Sequence, residues 1–351
     1  MTPFVYQSHP SRVLFGPGRL DSLADEIVRL GARRAFVVAT PEQAPDADRI
    51  VRQIGDLACG AFCGARMHTP VDVTEAAMAA LADADCLIAI GGGSTIGLAK
   101  AIALRTNLPQ IAIPTTYAGS EATAIIGQTE NGIKTTQTSP RVLPEVILYD
   151  VNLTMGLPVA ISVVSGMNAI AHAVEGLYSE QANPIISLIA QEGIRALASA
   201  LPRISAAPTD VPARSDAQYG AWLCGTTLGA VGMALHHKLC HALGGTFDLP
   251  HAQTHAVILP HALAYNAPYA ADAVARIGTA LGRPDAAMAL YDLNRSLGAP
   301  TSLRELGMPH GGLDRVIELT FAKPYWNPAP LDKVRLRMLL ERAWDGLPPA
   351  S

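Results

Sequence analysis

The sequence predicts an α/β domain with a parallel sheet over residues 1–157, followed by an all-α domain over residues 158–351. In the first part, short runs of β-branched and aliphatic residues alternate with helical stretches. That alternation is typical of a parallel sheet covered by helices on both faces. In the second part these runs fade, and long Ala- and Leu-rich helical periods replace them. A chain of 351 residues is long enough for two domains, each with its own core.

Four strands are predicted in the first part, at residues 34–40, 85–90, 110–114 and 145–150. Each is a short, continuously apolar run, as expected for a strand that is buried on both faces. Helical periods lie between them, for example over residues 20–30 and 74–84. The segment 13–18 ends in Gly16-Pro17-Gly18, which predicts a turn or hairpin ahead of the first helix.

The second part predicts helices over residues 159–179, 184–200, 215–244, 255–282 and 286–297, and a terminal helix over residues 330–344. Pro202, Pro208 and Pro212 are expected to mark a loop. Neither an internal repeat nor a low-complexity tail interrupts these helices.

Composition narrows the class of protein. The chain is 49% hydrophobic and 16% charged with a net charge of −4, which favours a soluble enzyme and gives no reason to expect nucleic acid or an anionic membrane as partner. No stretch reads as a membrane span or an export signal. The five cysteines show no pairing pattern and are expected to be reduced thiols. We therefore expect a cytoplasmic location.

A glycine-rich loop follows the second predicted strand. Residues 85–90 run into Gly91-Gly92-Gly93-Ser94-Thr95, and a helix is expected from about Ile96. Glycines let a backbone approach a pyrophosphate closely, and a helix N-terminus supplies N–H groups and a positive dipole end. Ser94 could cap the helix or bond a phosphate oxygen. The loop is not a G-x-G-x-x-G motif, so a tight turn without a ligand is the alternative.

Further polar residues are expected near this loop. The third predicted strand ends in Pro114-Thr115-Thr116, which would place hydroxyl groups at the ligand-binding edge of the same sheet. Lys134 could reach ribose or phosphate, or be a solvated loop lysine. Thr40, at the end of the first predicted strand, is not acidic and so leaves room for either NADH or NADPH, although Glu42 follows closely. The candidate cofactor-binding residues are Thr40, Gly91, Gly92, Gly93, Ser94, Thr115, Thr116, Tyr117, Ser120 and Lys134.

Histidines dominate the second part. Asn168 and His172 are four residues apart, and so are His237 and His241, so each pair lies on one helical face. His251 follows closely. Imidazoles arranged in this way suit a metal ion or a reacting carbonyl compound, but Asn168 offers no negative charge.

Four neighbouring residues are weighed with these histidines. Lys238 could pair with a substrate carboxylate or be a surface lysine, and His236 could point away from the site, because adjacent helical residues do not share a face. His255 and His261 are expected to be structural.

The chain resembles the iron-containing (group III) alcohol dehydrogenases, whose fold is similar to that of dehydroquinate synthase. The residues that carry this resemblance are Gly91-Gly92-Gly93-Ser94, Pro114-Thr115-Thr116 with Gly119-Ser120-Glu121, Gly166-Met167-Asn168 with His172, and His237 with His241 and Pro250-His251. The resemblance covers nearly the whole chain and implies an active site in the cleft between a dinucleotide-binding domain and a helical domain. It implies that the family's metal-binding Asp is Asn168 here, and that its three histidine ligands are His172, His237 and His251. His241 then matches a histidine that takes part in proton transfer beside the nicotinamide.

Two departures, Asn168 for Asp and Ala252 for Gly, look like the maleylacetate reductase branch. That resemblance implies reduction of the dicarboxylate maleylacetate to 3-oxoadipate by NADH, with NADPH accepted to some extent, late in the breakdown of aromatic rings. It implies catalysis without a bound metal, with the candidate residues Asn168, His172, His237, Lys238, His241 and His251. A homodimer is also expected.

Three alternatives stay open from the sequence. One is a metal-dependent alcohol dehydrogenase or aldehyde reductase of the same superfamily, because three neutral imidazoles can still bind zinc. Another is a lyase related to dehydroquinate synthase, although only Lys238 lies near the histidines as a basic partner. The third is a nucleotide-binding protein without turnover.

Overall fold

The computed structural model describes residues 3–8, 10–130 and 133–350, apart from the side chains of Ile133 and Lys134. The chain divides into two compact units, Ser8–Leu157 and Pro158–Ser351, and the residues before Ser8 group with the second unit. The first unit contains all the strands in the described residues, and the second is helical.

The first unit is built on a six-stranded parallel sheet with the order β1-β8-β5-β4-β2-β3. Its strands are β1 (Arg12–Phe15), β2 (Ala35–Val38), β3 (Ala58–Phe62), β4 (Cys86–Gly91), β5 (Gln110–Pro114) and β8 (Val146–Tyr149). Four helices accompany them: α1 (Leu23–Arg29), α2 (Ala44–Ile54), α3 (Val71–Ala79) and α4 (Gly93–Thr106). An antiparallel hairpin, β6 (Ile125–Glu130) and β7 (Ile133–Thr138), lies outside the sheet.

Both faces of this sheet are buried, which confirms the prediction from the apolar strands. Along β2, Val37 packs into one core cluster, whereas Phe36 and Val38 pack into another. Neighbouring side chains of a strand point to opposite faces, so each face of β2 meets its own layer of helices. The four predicted strands all form, within one or two residues at each end.

Three elements of the first unit differ from the prediction. Residues 13–18 were expected to turn, but Arg12–Phe15 pairs in parallel with β8 at the edge of the sheet, and the turn follows at Gly16 and Gly18, where φ is positive. Strand β3 and the hairpin were not predicted. Strand β3 (sequence ACGAF) is only partly buried and contains small residues but no β-branched ones, so its sequence has little β propensity.

The second unit contains nine helices among the described residues. They are α5 (Val159–Leu177), α6 (Pro184–Ala206), α7 (Val211–Ala230), α8 (Leu235–Phe247), α9 (His251–Asn266), α10 (Ala271–Leu281), α11 (Ala286–Ser296), α12 (Leu313–Phe321) and α13 (Lys333–Asp345). Helix α5 is apolar enough to resemble a membrane span, yet 83% of its most apolar window is buried inside the unit. It is therefore a core helix, against which α6, α7 and α9 pack.

Two predicted long helices are each divided in the structure. The prediction over 215–244 is wrong at Val231–Ala234, because side chains bond the backbone there: Gln181 accepts from the N–H of Gly232 at 2.6 Å, and Ser179 donates to its carbonyl at 2.8 Å. The prediction over 255–282 fails at Ala267–Tyr269, where a short 3₁₀ turn contains a proline.

The prolines do not all mark the predicted loop. Pro202 lies inside α6, so its prediction is wrong, whereas Pro208 precedes α7 and Pro212 lies in the first turn of α7. Helix α12 was not predicted.

Candidate active site

The predicted cofactor loop lies where the strand order of the sheet reverses. From β2 the chain continues to β3 on one side, and from β4 it continues to β5 on the other. Ligands of open α/β sheets bind at this switch point, beyond the carboxyl ends of the strands. Thr40 follows β2 and Gly92 follows β4, so these two predicted residues lie on the adjacent loops of the switch point.

The three glycines of the loop have different structural roles. Gly91 has φ +152°, and a Cβ there would collide with the side chains of Gln43 and Thr95. A Cβ on Gly92 would lie 2.9 Å from Cγ2 of Thr116. A Cβ on Gly93 would meet nothing within 4 Å, and Gly93 is exposed. Close packing therefore explains why Gly91 and Gly92 carry no side chain. At Gly93, by contrast, the space at the start of α4 is open.

The N-terminus of helix α4 presents backbone N–H groups that could donate to a ligand. Its N-cap is Gly92 and no side chain caps it, so capping, one of the two roles left open for Ser94, is excluded. Ser94 instead lies in the first turn and is partly exposed. The first N–H groups of any helix have no intrahelical acceptor, and here they belong to Gly93 and Ser94. The arrangement suits an anionic group such as a pyrophosphate.

The loop after β5 is fixed against both neighbouring loops. The N–H of Thr115 donates to the carbonyl of Gly91 at 3.0 Å, and its hydroxyl accepts from Nε2 of Gln43 at 2.6 Å. Thr115 and Tyr117 are buried, whereas Thr116 and Ser120 are partly exposed. The two partly exposed hydroxyls are thus the more accessible of these predicted residues.

A buried lysine, which the sequence did not single out, holds this loop to α4. Nζ of Lys100 lies within hydrogen-bond distance of the carbonyls of Ser120, Thr123 and Ile125, at 2.6, 2.7 and 2.9 Å. Burial lowers the pKa of Lys100 to about 7, and the nearby Glu121 carboxylate opposes that shift. Lys100 therefore has a structural role beneath the predicted cofactor site.

Two further predicted cofactor residues stand apart from the glycine loop in sequence. Lys134 belongs to β7, but its side chain lies outside the described residues. Thr40 is partly exposed, and a backbone hydrogen bond, aided by the Thr40 side chain, lowers the pKa of the exposed Glu42. An ionised carboxylate therefore lies beside Thr40 at the end of β2.

In the second unit, α5 and α8 bring three predicted residues into one hydrogen-bonded chain. Nδ2 of Asn168 lies 3.4 Å from Nε2 of His172, and Nδ1 of His172 lies 2.9 Å from Nε2 of His237. The two imidazole rings are stacked, with centroids 5.0 Å apart. All three side chains are at least nine-tenths buried.

This hydrogen-bonded chain of side chains ends at the carboxylate of Glu175, which was not among the residues predicted from the sequence. Its Oε2 lies 2.6 Å from Nδ1 of His237, and the backbone N–H groups of Ala234, His236 and His237 also donate to it. Burial disfavours its charge, but the His237 contact and these N–H groups outweigh burial and hold the pKa of Glu175 below its usual value. The sequence did carry a signal, because residues 168, 172 and 175 follow the i, i+4, i+7 spacing of one helical face.

A second group of buried side chains lies beside this hydrogen-bonded chain. Nε2 of His236 lies 2.9 Å from Nδ1 of His255, and Sγ of Cys240 lies 3.7 Å from the same nitrogen of His236. Burial, followed by the neighbouring imidazoles, lowers the pKa of His236 and His255 well below the usual value. His255, which was predicted to be structural, is fully buried, and its ring lies 5.0 Å from that of His237 and 4.3 Å from that of His251.

The remaining predicted residues lie at the edge of the histidine cluster, which is formed by His172, His236, His237 and His255, or make contacts outside it. His241 is exposed, with its ring edge-on to His237 at 6.3 Å, and His251 is partly buried at the start of α9. Lys238 is partly buried, and its Nζ lies over the ring of Tyr325, 5.5 Å from the centroid. The carboxylate partner expected for Lys238 would have to compete with this cation–π contact.

The family's metal can be tested against this geometry. An Asp/His₃ site needs lone pairs converging on one ion. Here Nε2 of His237 is paired with an N of His172, and Nε2 of His172 faces an amide nitrogen. Within the described part of the chain, the His/Cys group whose donor atoms converge within 4.8 Å is instead His236, Cys240 and His255. The family's ligand positions therefore do not fit a metal ion as they are arranged.

Comparisons with known proteins extend along almost the entire chain. Residues 10–151 match the family model described as iron-containing alcohol dehydrogenase, and residues 162–344 match the C-terminal model of the Fe-containing alcohol dehydrogenase family. Maleylacetate reductase from Rhizobium sp. (strain MTP-10005) is 55% identical over 99% of this chain and 100% of its own. Maleylacetate reductase from Sphingobium indicum is 55% identical over 99% of each chain.

Solved structures agree with these relatives. The crystal structure of maleylacetate reductase from Agrobacterium tumefaciens superposes with a TM-score of 0.96 at 55% identity, covering 99% of this chain and all of that one.

Proposed function

The chain belongs to the iron-containing alcohol dehydrogenase family, and we propose that it reduces maleylacetate to 3-oxoadipate with a reduced nicotinamide cofactor. It is an NAD(P)H-dependent oxidoreductase. The observation that carries the substrate assignment is the similarity of its whole length, at 55% identity, to maleylacetate reductases. Asn168, at the position of the family's metal-binding aspartate, gives that assignment a physical reason.

Maleylacetate is a dianion in which a carbon–carbon double bond is conjugated to a ketone. A bound reduced nicotinamide would supply a hydride for the far carbon of that bond, which would leave the electron pair of the double bond on the ketone oxygen as an enolate. A proton then adds to the carbon beside the ketone, giving 3-oxoadipate and the oxidised cofactor. Donors that stabilise the enolate and supply the proton are the contribution expected of the protein.

We assign the proton and the enolate contact to His241 and His251, which border the cluster where its imidazoles are less buried. His172 and His237 line the same cluster, and Asn168 orients them or a substrate oxygen. A carboxylate at position 168 would oppose the substrate's own charges. Two like charges 4 Å apart repel by roughly 4 kcal/mol at an effective dielectric of about 20. An amide therefore favours binding of a dianion when no cation is bound.

For the cofactor, the first unit supplies the glycine loop, Thr116 and Ser120, with Thr40 at the end of β2 and Lys134 as a further candidate. We propose NADH as the preferred hydride donor. The ionised Glu42 beside Thr40 would repel the 2′-phosphate of NADPH, and Thr40 itself leaves room for some use of NADPH.

We further propose that turnover needs no metal, and that the enzyme acts in the cytoplasm as a homodimer in the breakdown of aromatic rings. The hydrogen bonding among Asn168, His172 and His237 supports the first point. The five free cysteines are compatible with a reducing compartment. Light scattering during size-exclusion chromatography tests the dimer.

A substrate panel tests the proposed function. Oxidation of NADH is followed by absorbance with maleylacetate, chlorinated maleylacetates, simple aldehydes and, in the reverse direction, simple alcohols with NAD⁺. We expect turnover on the maleylacetates and little on the others. Turnover on simple alcohols or aldehydes that exceeds turnover on maleylacetate would identify a different oxidoreductase, and a flat trace with NADH bound would identify a binding protein.

A further inference from the structure

The hydrogen bonds that join α5 and α8 form a single line of four side chains. Asn168 contacts His172 at 3.4 Å, His172 contacts His237 at 2.9 Å, and His237 contacts Glu175 at 2.6 Å. Each histidine uses both ring nitrogens in this line. The position of every hydrogen can therefore be worked out from one end.

The donor and acceptor of each hydrogen bond can be assigned by starting at Glu175. Three backbone N–H groups and one ring nitrogen surround its two oxygens, so the carboxyl group acts as an acceptor and the hydrogen lies on Nδ1 of His237. In a neutral imidazole the other nitrogen is then an acceptor. Nε2 of His237 accepts from Nδ1–H of His172, and Nε2 of His172 accepts in turn from the amide of Asn168. All three bonds point toward Glu175.

We propose that Glu175 is a positioning residue that fixes both His172 and His237 as neutral Nδ1–H tautomers, with the amide of Asn168 as the last donor in the line. This proposal deepens the proposed function, on which its catalytic meaning rests. With the N–H of each of these two rings directed along the line, the proton for the enolate comes from His241 or His251.

The same geometry explains why an amide suits position 168. An aspartate would place carboxylate lone pairs against the lone pair of His172, and only a proton or a metal ion between them could join the two residues. The N–H of Asn168 takes the place of that ion. The opposite direction would require a second proton on His237, a proton on Nε2 of His172, and Oδ1 of Asn168 turned toward His172, whereas Nδ2 of Asn168 faces His172 in the structure.

Nitrogen NMR of the unaltered enzyme, with ¹⁵N-labelled histidine, tests the tautomers directly. Long-range proton–nitrogen correlations distinguish Nδ1–H, Nε2–H and doubly protonated rings, and loss of a signal in His172→Gln and in His237→Gln assigns each ring. We expect Nδ1–H for both residues at neutral pH. An Nε2–H or doubly protonated ring at either position overturns the proposal. This measurement does not depend on turnover, so it stands apart from the test of the substrate.

The role of Glu175 is tested by Glu175→Gln, with Tyr178→Phe as the matched control. The hydroxyl of Tyr178 also contacts Oε1 of Glu175, at 3.4 Å, but touches neither histidine of the line in the described bonds. Glu175→Gln is expected to populate Nε2–H on His237 and to lower kcat about 10²-fold, with a smaller change in KM.

Tyr178→Phe is expected to keep the Nδ1–H tautomers and to keep kcat within about twofold, because the carboxylate stays ionised beside His237. A Glu175→Gln enzyme that folds and keeps Nδ1–H on both rings would show that the carboxylate does not set them. If Glu175→Gln does not fold, the tautomers of the unaltered enzyme still decide the proposal.

Discussion

At the scale of single residues, the proposal of turnover without a metal depends most on Asn168. Its amide contacts His172, and its substitution by aspartate would restore the negative charge that a cation needs. We expect Asn168→Asp to increase metal uptake and to lower kcat/KM for maleylacetate by up to about 10³-fold, the factor that corresponds to roughly 4 kcal/mol of repulsion. Elemental analysis and steady-state kinetics measure the two effects.

Asn168→Ala is the control for this change, because it removes the amide without adding charge. It should lose less activity than Asn168→Asp and should gain no metal. Unchanged activity in Asn168→Asp, without added metal, would contradict the electrostatic account of this position.

His241 tests the proposed source of the proton. It is the exposed histidine beside His237, and a positioned general acid typically contributes 10²–10⁴-fold to the rate. We expect His241→Ala to lower kcat about 10²-fold or more while NADH still binds. A variant with the full rate would leave His251 as the proton donor.

For single residues, sequence spacing predicts which side chains share a helical face, but it does not predict contacts between helices. The spacing of Asn168 and His172 predicted a shared helical face, and the structure places both in one hydrogen-bonded line. Glu175 continues that spacing, but it was overlooked because a glutamate on a helix is usually solvated. The contact between His172 and His237 spans 65 residues, so sequence periodicity alone could not assign it.

At the scale of secondary-structure elements, the turn between β4 and α4 allows packing and ligand binding to be separated. Gly91→Ala would place a Cβ against Gln43 and Thr95, so we expect a loss of roughly 1–3 kcal/mol in the free energy of unfolding.

The Cβ added by Gly93→Ala would meet no neighbour within 4 Å, so this variant should leave the free energy of unfolding nearly unchanged. It should nevertheless weaken NADH binding, because a methyl group would stand over the N–H groups that start the helix. Denaturant unfolding and calorimetric titration measure these effects, and undiminished NADH binding by Gly93→Ala would place the pyrophosphate elsewhere.

Strands and helices could be predicted where the apolar pattern of the segment itself determined its structure. Strand β5 was predicted at the observed residues because it is apolar after Gln110 and buried. The segment between α7 and α8 was not, because Gln181 and Ser179 satisfy its backbone from another part of the chain. Strand β1 depends in the same way on pairing with β8, which lies more than 130 residues away in sequence.

At the scale of the whole molecule, buried neutral histidines make stability depend on pH. Burial lowers the pKa of His236, His255 and His261 in the folded state, for His261 to about 4. An unfolded histidine titrates near pH 6.5, so below that pH the unfolded chain binds more protons than the folded one. We therefore expect the free energy of unfolding to fall as the pH decreases from about 6.5 toward 4, by about 1.4 kcal/mol per pH unit for each such group.

His261→Asn isolates one of these contributions, because His261 has no hydrogen bond to the cluster around His237 among the described residues. The slope of unfolding free energy against pH should decrease by about one proton relative to the unaltered protein. Equal slopes for the two proteins would show that His261 titrates normally when folded.

The most direct test of the central claim, that the histidine cluster supports reduction of a dicarboxylate by NADH without a metal ion, is turnover by protein of known metal content. The enzyme is purified with a strong chelator, its zinc and iron are quantified, and NADH oxidation with maleylacetate is measured before and after each metal is added back. The account predicts full activity at a metal content far below one ion per chain, with no stimulation by added metal. Activity that disappears with the metal and returns in proportion to the zinc or iron bound would contradict it.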